Sequence, residues 1–163
     1  MISSRSRSLL IAAAAASGLL AGADLDREVV AMPAWQQVGA VAWAAFSRQA
    51  DLGNGLVLYP VEAIGGFLLI LAAIVSFHLD RAATGRFALY GAALLAAAGL
   101  LCTVKAAPIM LGVAQLEDPT ALRQAFEGFR HWGSIRAAFQ VLAFFAMAWA
   151  LAANLGRPTR DVG

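Results

Sequence analysis

The chain has 163 residues, of which 61% are hydrophobic and 13% charged, with a mean hydropathy of +0.72 and a formal net charge of +2. A soluble domain carries about 45–50% apolar and about 25% charged residues, so both departures point to a membrane protein. The small net charge, with no basic block interleaved with exposed aromatics, excludes a nucleic-acid binder.

Four apolar stretches approach the roughly 20 residues that a membrane-crossing helix needs. They cover residues 9–30, 56–78, 87–113 and 134–155. Backbone groups cannot stay unpaired in hydrocarbon, so each is predicted to be helical. The fold class is therefore all-α, a single integral membrane domain built as a four-transmembrane-helix bundle, with the lipid bilayer as its solvent.

The first stretch has two readings. "MISSRSRS" before "LLIAAAAASGLLAGA" looks like a signal peptide, with Ala21, Gly22 and Ala23 as the cleavage site. Against this, Leu25, Val29, Val30 and Met32 carry the apolar pattern past the charges. Ala14, Gly18 and Gly22 recur every fourth residue, a small-residue face suited to close packing on another membrane helix.

The next segment, 33–49, places Trp35, Val38, Ala42 and Phe46 on one helical face. It is predicted to be a short interfacial helix with Pro33 in its first turn. "ADLGNG" then turns the chain back into the second span. The third span carries Lys105 and Pro108 near its end. In the second long connection, Asp118 is predicted to cap a helix that Pro119 opens and that runs directly into the fourth span. Trp35, Trp43, Tyr59 and Trp132 would form an aromatic belt on this side, with Trp149 near the other.

Residues 1–8, 79–86 and 156–163 are short and hold six basic against two acidic residues, a net +4. The remainder holds six basic against eight acidic, a net −2. Dense positive charge in short segments marks the cytoplasmic side. Both termini are thus expected in the cytoplasm, the protein in a bacterial-type inner membrane, and the long connections outside.

On that outward side every span brings an ionisable residue. Asp24, Arg27 and Glu28 share a face of the first helix; Glu62, Lys105 and Arg136 come from the other three, with Gln140 one turn beyond Arg136. Charges at this depth usually pair or line a wet cavity. Three acids and three bases suit a connected cluster in which Lys105 reaches Glu62, Asp24 or Glu28. Each residue also has a plain alternative. Lys105 can snorkel to the headgroups, and Asp24 with Arg27 can be an intrahelical pair. Glu62 can simply favour its helix N-terminus, and His131 can be an interfacial residue. His131 and His78 fall at opposite ends of the spans and cannot ligate one haem. With no metal-ligand spacing and a single cysteine, Cys102, neither a metal, another cofactor nor a CxxC redox pair is implied.

"GLLAGADLDREVVAMPAW", the proline-bearing end of the third span, and "FRHWGSIRAAFQ" give the chain a resemblance to the anthrone-oxygenase-like family of small four-helix membrane proteins. The match in architecture covers most of the chain. In motif it rests on Trp132, Arg136 and the polar end of the first span. "AMPAW" stands where that family usually has an Asn-Pro turn. The resemblance implies a cofactor-free oxygenase acting on flat polycyclic phenols.

Two functions remain open. In the first, an apolar pocket holds a lipid-soluble aromatic or quinone-like molecule. Lys105 or Arg136 stabilises its developing oxyanion, Glu62 or Asp24 moves the proton, and Arg27, Glu28, His131, Trp132 and Gln140 complete the binding set. In the second, the protein is a non-catalytic structural or accessory subunit. Its charges fix helix packing, and its small-residue face meets a membrane protein partner or a second copy of itself.

Overall fold

The computed structural model describes residues 2–155; Arg157, Arg160 and Asp161, which entered the orientation argument, lie outside the described residues. The described chain runs α1 (Ser4–Asp26), α2 (Met32–Val38), α3 (Ala40–Gln49), α4 (Gly55–Leu79), α5 (Arg86–Gly112) and α6 (Pro119–Leu155). π-helical turns at Arg27–Ala31 and Ala50–Asn54 join α1 to α2 and α3 to α4. Four helical stretches are long and apolar enough to cross a membrane, and they match the four predicted spans to within a few residues, centred on α1, α4, α5 and α6.

Helix ends follow local chemistry. The Ser3 hydroxyl accepts from the Ser6 N–H at 3.2 Å and caps α1. Asp118 accepts from the Ala121 N–H at 2.8 Å, and Pro119 opens α6, as the sequence predicted. That helix continues without a break into the fourth span. Its 37 residues extend to roughly 55 Å at 1.5 Å per residue.

Neighbouring helices run antiparallel. Ser6 meets Ser76 and Gly66 approaches Ala16, which aligns α1 with α4. A Cβ added at Gly18 would sit 3.1 Å from the Phe144 ring, so the predicted close-packing face is seated on α6. Gly22, one turn on, meets nothing within 4 Å. On α5, a Cβ at Gly99 would lie 2.5 Å from Gln140 Nε2 of α6. An added methyl there would have to displace the Gln140 side chain.

Two apolar cores result. One joins α1, α4, α5 and α6 through Leu10, Ile70, Phe77, Leu89 and Met147. The other, here termed the cap, packs Met32, Trp43, Met110, Val113, Phe126 and Phe129 at the far ends of α5 and α1 and the beginning of α6.

The cap departs from expectation in three ways. First, Pro33 lies in the first turn of α2 as expected, but α2 is not set off from the first span. The chain stays helical from α1 into α2 through a π-turn in which the Met32 N–H reaches the Arg27 carbonyl. Proline clashes with the carbonyl four residues back, and the widened turn just before it shifts the ladder. Second, 33–49 is two helices, because Gly39 adopts φ +91° and turns the chain. Trp35 and Phe46 still meet, with ring centroids 5.5 Å apart, but across that corner. The buried face is Trp43, Ala44 and Ser47, while Val38, Ala42 and Phe46 are exposed. Third, Trp43 is fully buried between Phe126 and Phe129 and belongs to the core, not to an aromatic belt.

Candidate functional site

The predicted polar residues gather where the cap meets the four long helices, but not as one cluster. Arg136 Nη2 of α6 donates to Asp24 Oδ1 of α1 at 2.6 Å. Four residues on, in the π-helical turn after α1, Glu28 Oε1 accepts from Ser134 Oγ at 2.6 Å. Asp24 and Glu28, four residues apart, therefore tie the end of α1 and the turn after it to Arg136 and Ser134, two residues apart on α6.

Arg27, the first residue of that turn, points the other way. Its Nη2 donates to Asp51 Oδ1 at 2.7 Å and to Tyr59 Oη at 3.0 Å. Its guanidinium lies 5.0 Å from the Tyr59 ring centroid and 5.7 Å from that of Phe129. Such placements add cation–π attraction to the ion pair. Arg27 thereby ties α1 to the turn after α3, to the start of α4 and to α6. Arg48 closes the cap from another direction: it donates to the carbonyls of Val113 and Leu116 beyond the end of α5. The Val113 carbonyl also accepts from the Leu116 N–H at 3.4 Å, and a cation at the end of α5 also matches the helix dipole.

Lys105 is not part of this arrangement. It is exposed on α5 and has no carboxylate within 4.0 Å, so the expected link to Glu62, Asp24 or Glu28 is absent. The helical phase accounts for this: Cys102 and Ala106, four residues apart, lie on the buried face of α5, and Lys105 falls outside it. Glu62 is half-buried on α4, one turn below Tyr59, and makes no hydrogen bond or ion pair. His131 is exposed and packs its ring edge-on to Trp132 at 5.3 Å. Trp132 itself leans on the cap core, and Gln140 is buried against Gly99.

The structure adds residues that sequence reasoning did not select. Asp51 was read only as part of a turn, yet it is the buried partner of Arg27. Trp43, Ser47 and Asp51 recur every fourth residue along α3 and the turn beyond it, a spacing that could have revealed a shared inward face. Several buried atoms here have no hydrogen-bond partner in the protein: Asp24 Oδ2, Asp51 Oδ2, Arg136 Nε, Ser47 Oγ and Trp43 Nε1. Buried polar groups are ordinarily satisfied, so these atoms mark bonding capacity that the chain itself does not use. No group of three or more His, Cys, Asp or Glu side chains among the described residues could hold a metal ion.

No family profile, curated protein or solved structure matches this chain.

Proposed function

We propose that the protein is a four-span integral membrane protein, most simply of the bacterial inner membrane, with both termini cytoplasmic. The layer beneath its outward cap acts as an electrostatic clamp. The observation that carries this reading is the pairing of each buried carboxylate, Asp24 and Asp51, with an arginine from a different element. Charges taken out of water lose several kcal/mol of hydration each. Two interelement pairs with close geometry offset that loss only in one relative placement of α1, α6 and the α3–α4 turn. The cap is thereby held in register over the bundle, as an accessory or structural subunit requires. Lys105 is exposed and lies outside the layer, so this reading gives it no part in the clamp.

The test is a charge swap. Asp24→Arg and Arg136→Asp should each lower the melting temperature in detergent, and the double reversal should recover most of the loss. A double variant as unstable as the worse single one would refute the clamp.

A second reading is favoured by the unused atoms Asp24 Oδ2 and Arg136 Nε. In it the layer binds or oxidises a lipid-soluble aromatic or quinone-like molecule, in keeping with the resemblance to the anthrone-oxygenase-like family. Arg136 would then face the developing oxyanion and Asp24 the proton. Quinones and polycyclic phenols should then raise the melting temperature of the parent protein but not of Arg136→Gln.

A further inference from the structure

At the end of the bundle opposite the cap, arginines outnumber their partners. Arg5 and Arg7 lie in the first two turns of α1, Arg81 in the loop between α4 and α5, and Arg86 at the start of α5. The Ser6–Ser76 contact sets the start of α1 beside the end of α4, so these positions share one rim. Asp80 is the one carboxylate there among the described residues, and it accepts from the Ser3 N–H at 2.6 Å. Arg86 donates to the Ala82 carbonyl of the loop. Arg5, Arg7 and Arg81 have no side-chain hydrogen bond or ion pair among the described residues. Four guanidiniums against one carboxylate leave this rim at a formal +3.

The general bias of positive charge to one side of a membrane accounts for arginines at this end, but not for the place of Arg81. A pair of bonds closes α4. The Ala82 N–H reaches the Phe77 carbonyl at 2.9 Å, and the Arg81 N–H reaches the His78 carbonyl at 3.0 Å. Phe77 and Ala82 are both buried in the bundle core. This helix ending needs a left-handed residue between them, ordinarily glycine. Arg81 fills it at φ +54°, the only residue other than glycine with positive φ among the described residues. A Cβ is disfavoured in that conformation. The backbone thus favours glycine at a position that holds an exposed, unpaired guanidinium. Strain kept where the fold does not need it points to a use for the side chain.

The flanks narrow the class of anion. Leu79 and Phe87, on either side of the loop, are the two most exposed large apolar side chains among the described residues, at 79% and 87%. Trp149 of α6 is also exposed near this end. A water-soluble anion meets the guanidiniums alone. An anion joined to hydrocarbon meets both the guanidiniums and the apolar side chains. Guanidiniums suit phosphate oxygens in particular, through paired N–H bonds.

We propose that this rim binds the phosphate headgroup of an anionic phospholipid, with Arg81, Arg5 and Arg7 holding the phosphate and Leu79 and Phe87 flanking the acyl chains. The site rests on the membrane-spanning part of the proposed function and is independent of the clamp.

The experiment is thermal unfolding of the full chain in a nonionic detergent with phosphatidylglycerol, phosphatidylcholine or soluble glycerol phosphate at matched concentration. Phosphatidylglycerol should raise the melting temperature several degrees above phosphatidylcholine, and glycerol phosphate should not raise it. High salt should shrink the difference. Arg81→Gly is the deciding variant, because backbone strain and headgroup binding move it in opposite directions. Without lipid it should melt at or above the parent, since glycine suits the left-handed position. It should also lose at least half of the phosphatidylglycerol shift. Arg5→Gln combined with Arg7→Gln should lose a similar share. Arg123→Gln removes an exposed charge from α6 at the cap end and should keep the full shift. Equal shifts from the two lipids would overturn the proposal. So would a shift undiminished in Arg81→Gly, or one reduced as much in Arg123→Gln. A glycerol phosphate shift as large as that of the lipid would overturn the lipid as occupant. A chain that stays folded and soluble without detergent would defeat the membrane-spanning reading itself, and the charge swap tests the clamp separately.

Discussion

At the cap end of the bundle, α1 meets α6 through Asp24 and Arg136; at the opposite end it meets α4 through Ser6 and Ser76. Both contacts are buried and polar, and both join helices distant in sequence. They differ in what they leave over. The serine end is closed. Ser6 also bonds Ser3, and the Ser3 N–H donates to Asp80 at 2.6 Å. Nearby, Asn154 donates to the carbonyls of Thr84 and Ala150 and anchors α6 to the loop before α5. The charged end is open, with two carboxylate oxygens and a guanidinium N–H unmatched. Neutral hydroxyls suffice to register two helices. The charged layer keeps bonding capacity that packing alone does not use.

The largest effect should come from breaking one side of the charged contact. Arg136→Met strands the buried Asp24 carboxylate and should cost about 3–5 kcal/mol. Ser6→Ala at the neutral end should cost about 1 kcal/mol, the usual net value of such a bond. Denaturant titration of both variants measures the contrast, and equal losses would erase the distinction between the two ends.

Next in size is the close approach of α5 and α6. Gly99→Ala puts a methyl into the space of the Gln140 side chain and should cost about 1–3 kcal/mol, the range for overpacking. Gln140→Ala in the same chain should recover part of that loss. An unperturbed melt for Gly99→Ala alone would show that the amide moves aside freely.

A smaller effect concerns acid. Burial pushes the Asp80 carboxyl up, but hydrogen bonds from the Ser3 backbone and the Ser6 and Ser3 hydroxyls outweigh it and hold its pKa below the usual 3.8. A depressed carboxylate stabilises the fold above its unfolded pKa, and that contribution is lost as pH falls through the folded value. Asp80→Asn should therefore flatten the stability profile below about pH 4 and leave the slope near neutrality unchanged. A steeper acid profile in the variant would reverse the assignment.

The smallest change is expected at Lys105. Exposed and unpaired, it should tolerate methionine within about 0.5 kcal/mol, as surface positions do. A large loss would restore it to the cluster from which the structure separates it.

Much of the fold was legible from local signals. Apolar runs located the four long helices, Asp118 and Pro119 marked the start of α6, and Gly18 marked a helix contact. The site was legible only in part. Asp24, Glu28 and Arg136 were found because helical spacing places residues on faces. Lys105 was misplaced because spacing alone does not say which face meets a neighbour. Asp51 went unselected because a turn composition hides a residue that becomes buried only when the cap folds over it.

The sequence by itself determined where this chain is apolar, how long its helices are and which residues share a helical face, since these follow from composition and a 3.6-residue period. The tertiary structure alone decided which arginine each carboxylate found. It also decided that Trp43 lies in a core and that Asp51 is buried beneath the cap. Those outcomes depend on helix rotation and on a corner at Gly39. Both are set by packing between residues far apart in the chain, which no local pattern records.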